Sequence, residues 1–287
     1  VSRGTGPRAD AAPKLLVVKV GGSLVSDKSA DRDLDLAAVD AYARQIADLA
    51  RRRPGRVVLV AGGGSFGHGA VRHLDDSDPF AALGLTEATF AVKWAWTKAL
   101  RAHGTAAMPL QVAALCVDDG ETVTARTEVL RHLLSLGAVP VLSGDCVVTA
   151  EGRLRVFGSD HVPGILLDGG AAHVRIVTLT DVPGVLLDGP GGHRVLPHVD
   201  PRAPRAAQAA LWGTASWDTS GSMHGKLTAL VAHAERGAEC VITRGDPAAR
   251  TLPHLLAPLH QWPVDLPRTV ISLGRQPRPT AKEYARS

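Results

Sequence analysis

Short apolar runs alternate along this chain with longer stretches in which apolar residues return at helical spacing. Leu15-Leu16-Val17-Val18 and Val57-Val58-Leu59-Val60 are β-branched-rich runs closed by glycine, the pattern of buried strands. They predict strands at about 14–20 and 56–61. Between them Leu36, Val39, Ala43, Ile46 and Leu49 recur as one face of a helix at about 35–52. The same reading gives a helix at 84–102, a short helix from Met108 to Leu115, and a strand near 121–125. A helix at 126–136 stopped by Gly137 and a strand at 139–142 follow. Further on come a helical stretch ending at Leu167, the strand Val174–Thr180, a hairpin-like segment at 188–192, a helix at 223–236 and a strand at 239–243. Such alternation of strands and helices predicts an α/β sheet covered on both faces.

Both early strands run into glycine. Lys19-Val20-Gly21-Gly22-Ser23 ends the first, and Ala61-Gly62-Gly63-Gly64-Ser65-Phe66-Gly67-His68 ends the second. Glycine turns at strand ends leave backbone N–H groups uncovered, which makes a nest for a phosphate-like anion. A second candidate is Asp218-Thr219-Ser220-Gly221-Ser222-Met223-His224-Gly225-Lys226, a polar turn that opens a helix and carries a lysine.

Composition narrows the setting. A chain of 287 residues, 45% apolar, can bury one large core or two modest ones. No apolar run is long enough to span a membrane, and Val1 to Ala12 lack the apolar centre of a secretory signal. Cys116, Cys146 and Cys240 are odd in number and widely spaced, so neither a disulfide framework nor a metal site is expected, and a cytoplasmic setting fits. The net charge of +4 fits either the basic tail or a site for polyanions. Few aromatics and no basic run interleaved with them argue against nucleic acid as a partner.

Other readings of the glycine loop are weaker. Gly62-x-Gly64-x-x-Gly67 formally matches a dinucleotide fingerprint, but the acidic partner would be Glu87, inside a helical pattern with no strand before it. No G-x-x-x-x-G-K-[ST] occurs, which excludes a Walker loop. A purely structural turn needs fewer glycines than stand here.

Lys19-x-Gly21-Gly22-Ser23, the second glycine loop, Thr180-Asp181-x-x-Gly184-Val185 and Asp218-Thr219-x-Gly221-x-Met223-x-x-Lys226 together resemble the amino acid kinase superfamily. His68 after the glycines is similar to the branch of isopentenyl phosphate kinases and the fosfomycin resistance kinase. Gly84-Leu85-Thr86-Glu87-Ala88-Thr89-Phe90, Pro109-Leu110-Gln111 and Ala210-Leu211-Trp212-Gly213 look most like the fosfomycin kinase. The resemblance implies an open three-layer α/β/α sandwich with a mainly parallel sheet. It also implies an acceptor-binding part at 14–170, an ATP-binding part at 171–274, and tails at 1–13 and 275–287. ATP with Mg²⁺ would be the donor, a small phosphonate or phosphate monoester the acceptor, and the assembly a homodimer.

Transfer between two phosphorylated anions is mainly a matter of positioning and charge neutralisation. Lys19 and Lys226 are expected to flank the transferring group, and by resemblance Lys28 reaches it too. Asp160 would orient the lysines. The resemblance places Gly63, Gly64, His68, Ser159, Gly158 and Thr219 at the acceptor, with Gly158 standing where the fosfomycin kinase pattern has a second serine. It places Gly21, Gly22, Ser23, Thr180, Asp181 and Gly184 with Lys226 at the nucleotide. Asp145 reads equally as an orienting carboxylate or a turn cap. Phe90, Trp94 and Trp96 either close an acceptor slot or belong to the core. No metal-ligand cluster is expected; Mg²⁺ would be held by the nucleotide's phosphates and water.

Overall fold

The strands expected from the apolar runs form the centre of the molecule. A computed structural model describes residues 12–26, 33–71, 77–168, 173–189, 192–209, 223–245 and 251–273, with the side chains of His68 and Ala206 outside the description. Its elements begin with β1 (Leu15–Val20), α1 (Leu36–Arg52), β2 (Val57–Ala61), α2 (Gly64–Val71) and α3 (Leu83–Ala102). Next are β3 (Ala107–Pro109), α4 (Val112–Leu115), β4 (Cys116–Asp118), β5 (Val123–Ala125), α5 (Glu128–Ser135) and β6 (Val139–Ser143). The hairpin strands β7 (Asp145–Thr149) and β8 (Leu154–Phe157) follow, then β9 (Val174–Thr180), β10 (His198–Val199) and α6 (Arg205–Ala209). The last are α7 (Met223–Glu235), β11 (Glu239–Arg244) and β12 (Arg268–Ile271).

Eight strands form one sheet in the order β10-β12-β11-β9-β1-β2-β6-β3. All neighbours from β11 to β3 are parallel, whereas β12 is antiparallel to β11 and carries β10 beside it. A parallel sheet is covered on both faces, which is why its central strands are mostly apolar. Every position of β1 and β9 is buried.

Successive side chains of a strand point to opposite faces. Leu15 and Val17 join one core with Leu227, Leu230 and Ala234 of α7. Leu16, Val18 and Val20 join the other with Val39, Tyr42 and Ile46 of α1 and Val92, Trp96 and Leu100 of α3. The result is a mixed α/β fold of three layers around a mostly parallel sheet. Lys19 has the parity of Leu15 and Val17, so it faces the α7 side. A smaller sheet, β5-β4-β7-β8, stands apart from the main one.

Several expectations are corrected. Met108 lies in β3, at the sheet edge, and the helix begins only at Val112. Pro109 lacks an N–H and suits an edge strand. The strand at 121–125 starts at Val123, because the Asp119 carboxylate accepts from the N–H groups of Glu121 and Thr122 and closes a turn there. The helical stretch ending at Leu167 is a 3-10 segment, Val162–Leu166. Of the hairpin-like segment, the described part shows an antiparallel bridge between Leu186 and Val195.

The carboxyl ends of β1, β2, β6 and β9 lie along one edge. On one side of β1 the chain continues to β2 and β6; on the other it returns as β9 and β11. Ligands of open α/β sheets bind at such a reversal, outside the carboxyl ends of the strands.

Candidate active site

The two glycine turns meet at this edge, backbone against backbone. The Gly62 N–H donates to Val20 O at 2.8 Å, and the Gly21 N–H to Leu179 O at 2.8 Å. A Cβ on Gly22 would fall 2.4 Å from Gly64 N, and one on Gly62 would fall 2.4 Å from Gly22 N. Gly64 has φ +53°, the left-handed region, and a Cβ there would reach 2.1 Å from Ser26 Oγ. Ser26 Oγ donates to Gly22 O at 3.0 Å and accepts from Ser65 N at 3.1 Å, which ties the turns together. Close approach therefore accounts for Gly22, Gly62 and Gly64. The loop itself is short: Gly64 already opens α2, the helix that also carries His68.

Lys19 and Asp160 meet above β1. Lys19 Nζ lies 2.6 Å from Asp160 Oδ1, and the lysine side chain is only 4% exposed. Lys226, buried near the start of α7, adds a second positive charge. Burial opposes ionisation of Asp160, but the attraction of Lys19 and then Lys226 outweighs it and holds the carboxyl below the usual range. Asp160 thus faces two buried lysines, Lys19 and Lys226.

The main chain of Asp160 is held from behind as well. His233 Nε2 stands 2.9 Å from Asp160 O, and a carbonyl only accepts, so this nitrogen carries the proton. Burial is the main cause that pushes the imidazole down to about 4, and it is neutral at neutral pH. Nothing in the sequence reading singled out His233; the available signal was its spacing of two helical turns from Lys226.

The remaining predicted residues divide. Gly21, Gly63, Gly158, Ser159 and Thr180 stand in loops or at strand ends along this edge, Gly22 and Ser23 lie in a 3-10 turn, and Gly64 opens α2. Gly144 packs on Ser159, since a Cβ on it would fall 2.8 Å from Ser159 N. Thr180 Oγ1 donates to the exposed Asp181 carboxylate at 2.9 Å. Gly184 is set apart, against β12, where a Cβ would fall 2.7 Å from Thr269 Oγ1. Lys28 and Thr219 lie outside the described residues, as does the side chain of His68.

Asp145 combines both readings, with a different lysine from those expected. Its carboxylate accepts from Thr86 Oγ1 at 2.8 Å and from the Ala113 N–H of α4 at 3.2 Å. Its lysine is Lys93 of α3, fully buried. Burial, partly offset by Asp145, lowers Lys93 to about 8. A charged residue on the buried face of a helix was the sequence signal for this pair.

Next to this pair a cavity of about 540 Å³ is lined by Leu83, Gly84, Thr86, Glu87, Phe90 and Gln111. Leu85, between them in sequence, comes within 3.9 Å of where a Gly67 Cβ would stand, so α2 packs on the stretch of α3 that lines the cavity. Phe90 lines it and stacks on Trp94, whereas Trp96 is buried against Tyr42 in the core. Among the described residues no group of three or more His, Cys, Asp or Glu side chains is placed to hold a metal, and no helix is long and apolar enough to cross a membrane.

Comparison with known proteins agrees with this fold. The profile of the amino acid kinase family matches residues 14–244. The isopentenyl phosphate kinase of Haloferax volcanii is 34% identical over 226 residues, 76% of this chain and 88% of that protein. That of Methanothermobacter thermautotrophicus is 28% identical over 79% of this chain and 90% of its own length. A glutamate 5-kinase of an Azoarcus species is 30% identical over 83% of this chain, which spans 65% of that longer protein. In structure, the T. acidophilum isopentenyl phosphate kinase product complex superimposes with a TM-score of 0.67 at 18% identity, over 90% of this chain and 99% of that one.

Proposed function

The chain belongs to the amino acid kinase family, and from that premise we propose that it is an ATP-dependent kinase whose acceptor is a small phosphate or phosphonate. The observation that carries this reading is the Lys19–Asp160 pair with Lys226 beside it, at the point where two glycine turns meet. A site that transfers a phosphoryl group between two anions needs fixed cations and exposed backbone N–H groups, with little else.

In this reading Lys19 and Lys226 neutralise the transferring group from two sides, with Lys28 assisting. Asp160 keeps the two lysines apart and aligned. Gly63, Gly64, His68, Gly158, Ser159 and Thr219 serve the acceptor, in the part spanning 14–170. Gly21, Gly22, Ser23, Thr180, Asp181 and Gly184 serve the nucleotide, together with the part spanning 171–274. The fit rests on the buried lysines at the sheet edge, beside the turns that Gly22, Gly62 and Gly64 allow to approach each other closely. ATP with Mg²⁺ supplies the phosphoryl group when bound.

For the acceptor, the named relatives support a phosphate monoester of the isopentenyl phosphate type. The cavity carries Thr86, Glu87 and Gln111, but its lining surface is mostly apolar, which suits a hydrocarbon tail. A small phosphonate such as fosfomycin is the second reading. ADP release measured in parallel with isopentenyl phosphate, fosfomycin and simpler phosphonates tests both. Turnover of one class identifies the acceptor. ATP binding without turnover of any of them would instead make the chain a binding module and overturn the proposal.

A further inference from the structure

Helix α7 holds more of the site than its lysine. Lys226 and His233 are both buried and lie two turns apart, on one face of the helix. His233 reaches Asp160 O at 2.9 Å, while the carboxylate of the same aspartate reaches Lys19 at 2.6 Å. The 3-10 segment after Asp160 is seated on the imidazole: a Cβ on Gly164 would fall 2.9 Å from His233 Cε1 and 3.2 Å from Nδ1. One turn on, Arg236 pairs with Asp168. The stretch from Asp160 to Asp168 is thus gripped along the helix that presents Lys226.

We propose that His233 is a positioning residue for phosphoryl transfer, acting through Asp160, an inference that rests on the kinase reading above. Its Nε2–H fixes the main chain of Asp160, so that the carboxylate and Lys226 keep one spacing relative to Lys19. Only a neutral donor serves here. A carboxylate would face the Asp160 carbonyl without a proton to give, and a lysine or arginine would compete with Lys19 and Lys226 for the Asp160 charge. Imidazole meets both conditions while also filling the space that Gly164 leaves. Misplacement of a positioned group by an ångström is felt mainly in the rate of transfer, since binding draws on many other contacts.

The test compares His233→Gln with His233→Met, two unbranched side chains of which only glutamine donates. His233→Met is expected to lower kcat about tenfold, the rate equivalent of one lost hydrogen bond, with KM for ATP and acceptor within about twofold. His233→Gln should recover most of the loss. In an Asp160→Asn background the change His233→Met should add less than about twofold, because the group it acts through is already impaired. If His233→Met does not fold, His233→Ala with added imidazole takes its place, and recovery of kcat by imidazole is the expected result. Equal kcat in the Gln and Met variants, full additivity with Asp160→Asn, or a change confined to KM would overturn the inference while leaving the kinase reading intact. Absence of turnover in the wild type would count against the kinase reading itself.

Discussion

Lys93 Nζ lies 3.8 Å from Asp145 Oδ2, and neither side chain has any exposed surface. The ammonium has no hydrogen-bond partner of its own, whereas Asp145 also ties Thr86 of α3 to the start of α4. The two partners are therefore unequal. Asp145→Ala strands a buried cation and frees three donors, of Thr86, Ala113 and Cys146, and should cost about 3–5 kcal/mol in chemical denaturation. Lys93→Met leaves the buried Asp145 carboxylate without a counter-charge but still hydrogen-bonded to Thr86, Ala113 and Cys146, and should cost less than Asp145→Ala, about 1–3 kcal/mol. A larger loss for Lys93→Met than for Asp145→Ala would contradict this account.

Lys19→Ala and Lys226→Ala should each lower kcat by about 10²–10³, the usual effect of deleting one preorganised charge donor. KM should move far less, since the charge they meet is greatest in the transition state. Steady-state kinetics read the split, and near-normal kcat in either variant would return that lysine to a structural role.

The interlocked turns predict an order of stability losses. Gly64→Ala meets both a left-handed φ and the Ser26 hydroxyl, and should cost about 1–3 kcal/mol. Gly22→Ala should cost at least as much, because its obstacle is the Gly64 backbone rather than a movable side chain. Gly84→Ala is the control: a Cβ there meets nothing within 4 Å, and helix propensity favours it by up to about 1 kcal/mol. Thermal melts of the three variants give the order directly.

His233 links stability to pH. Its folded pKa of about 4 lies below the ordinary value of 6.5, so the unfolded chain binds the extra proton first. Its contribution is present above pH ~6.5 and is lost as pH falls toward ~4, by up to about 3 kcal/mol. Denaturant melts at pH 7 and pH 4.5 should show this loss in the wild type and a smaller one in His233→Gln. Equal slopes would mean that the imidazole takes up its proton in the folded state.

What could be read from the sequence follows from how strongly each segment is buried. Leu15–Val18, Val57–Val60 and Val174–Thr180 are strands with both faces covered; continuous apolar runs announce the first two, and β-branched enrichment the third. The hairpin of β7 and β8 was missed because it has one exposed face and few residues; Val148 and Arg155 face outward among apolar neighbours. Helix α2 was hidden by Gly64, Gly67 and Gly69, whose low helix propensity disguises an element held in place by packing on α3. At the site, Lys19 and Lys226 were legible because Lys19 precedes the Gly21-Gly22 turn by two residues and Lys226 follows Gly225. His233 was not, since a histidine on an apolar helix face looks like any core residue, and its partner is a main-chain carbonyl that no side-chain pattern encodes.

The central claim is transfer of a phosphoryl group to an oxygen already bonded to phosphorus. Phosphorus NMR of the wild-type chain with ATP, Mg²⁺ and each acceptor of the panel tests it most directly. The account predicts that, with one class of acceptor, ADP and a new pair of coupled resonances from a P–O–P linkage appear together in equal amounts. ATP left intact with every acceptor, or ADP accompanied only by inorganic phosphate, would contradict it.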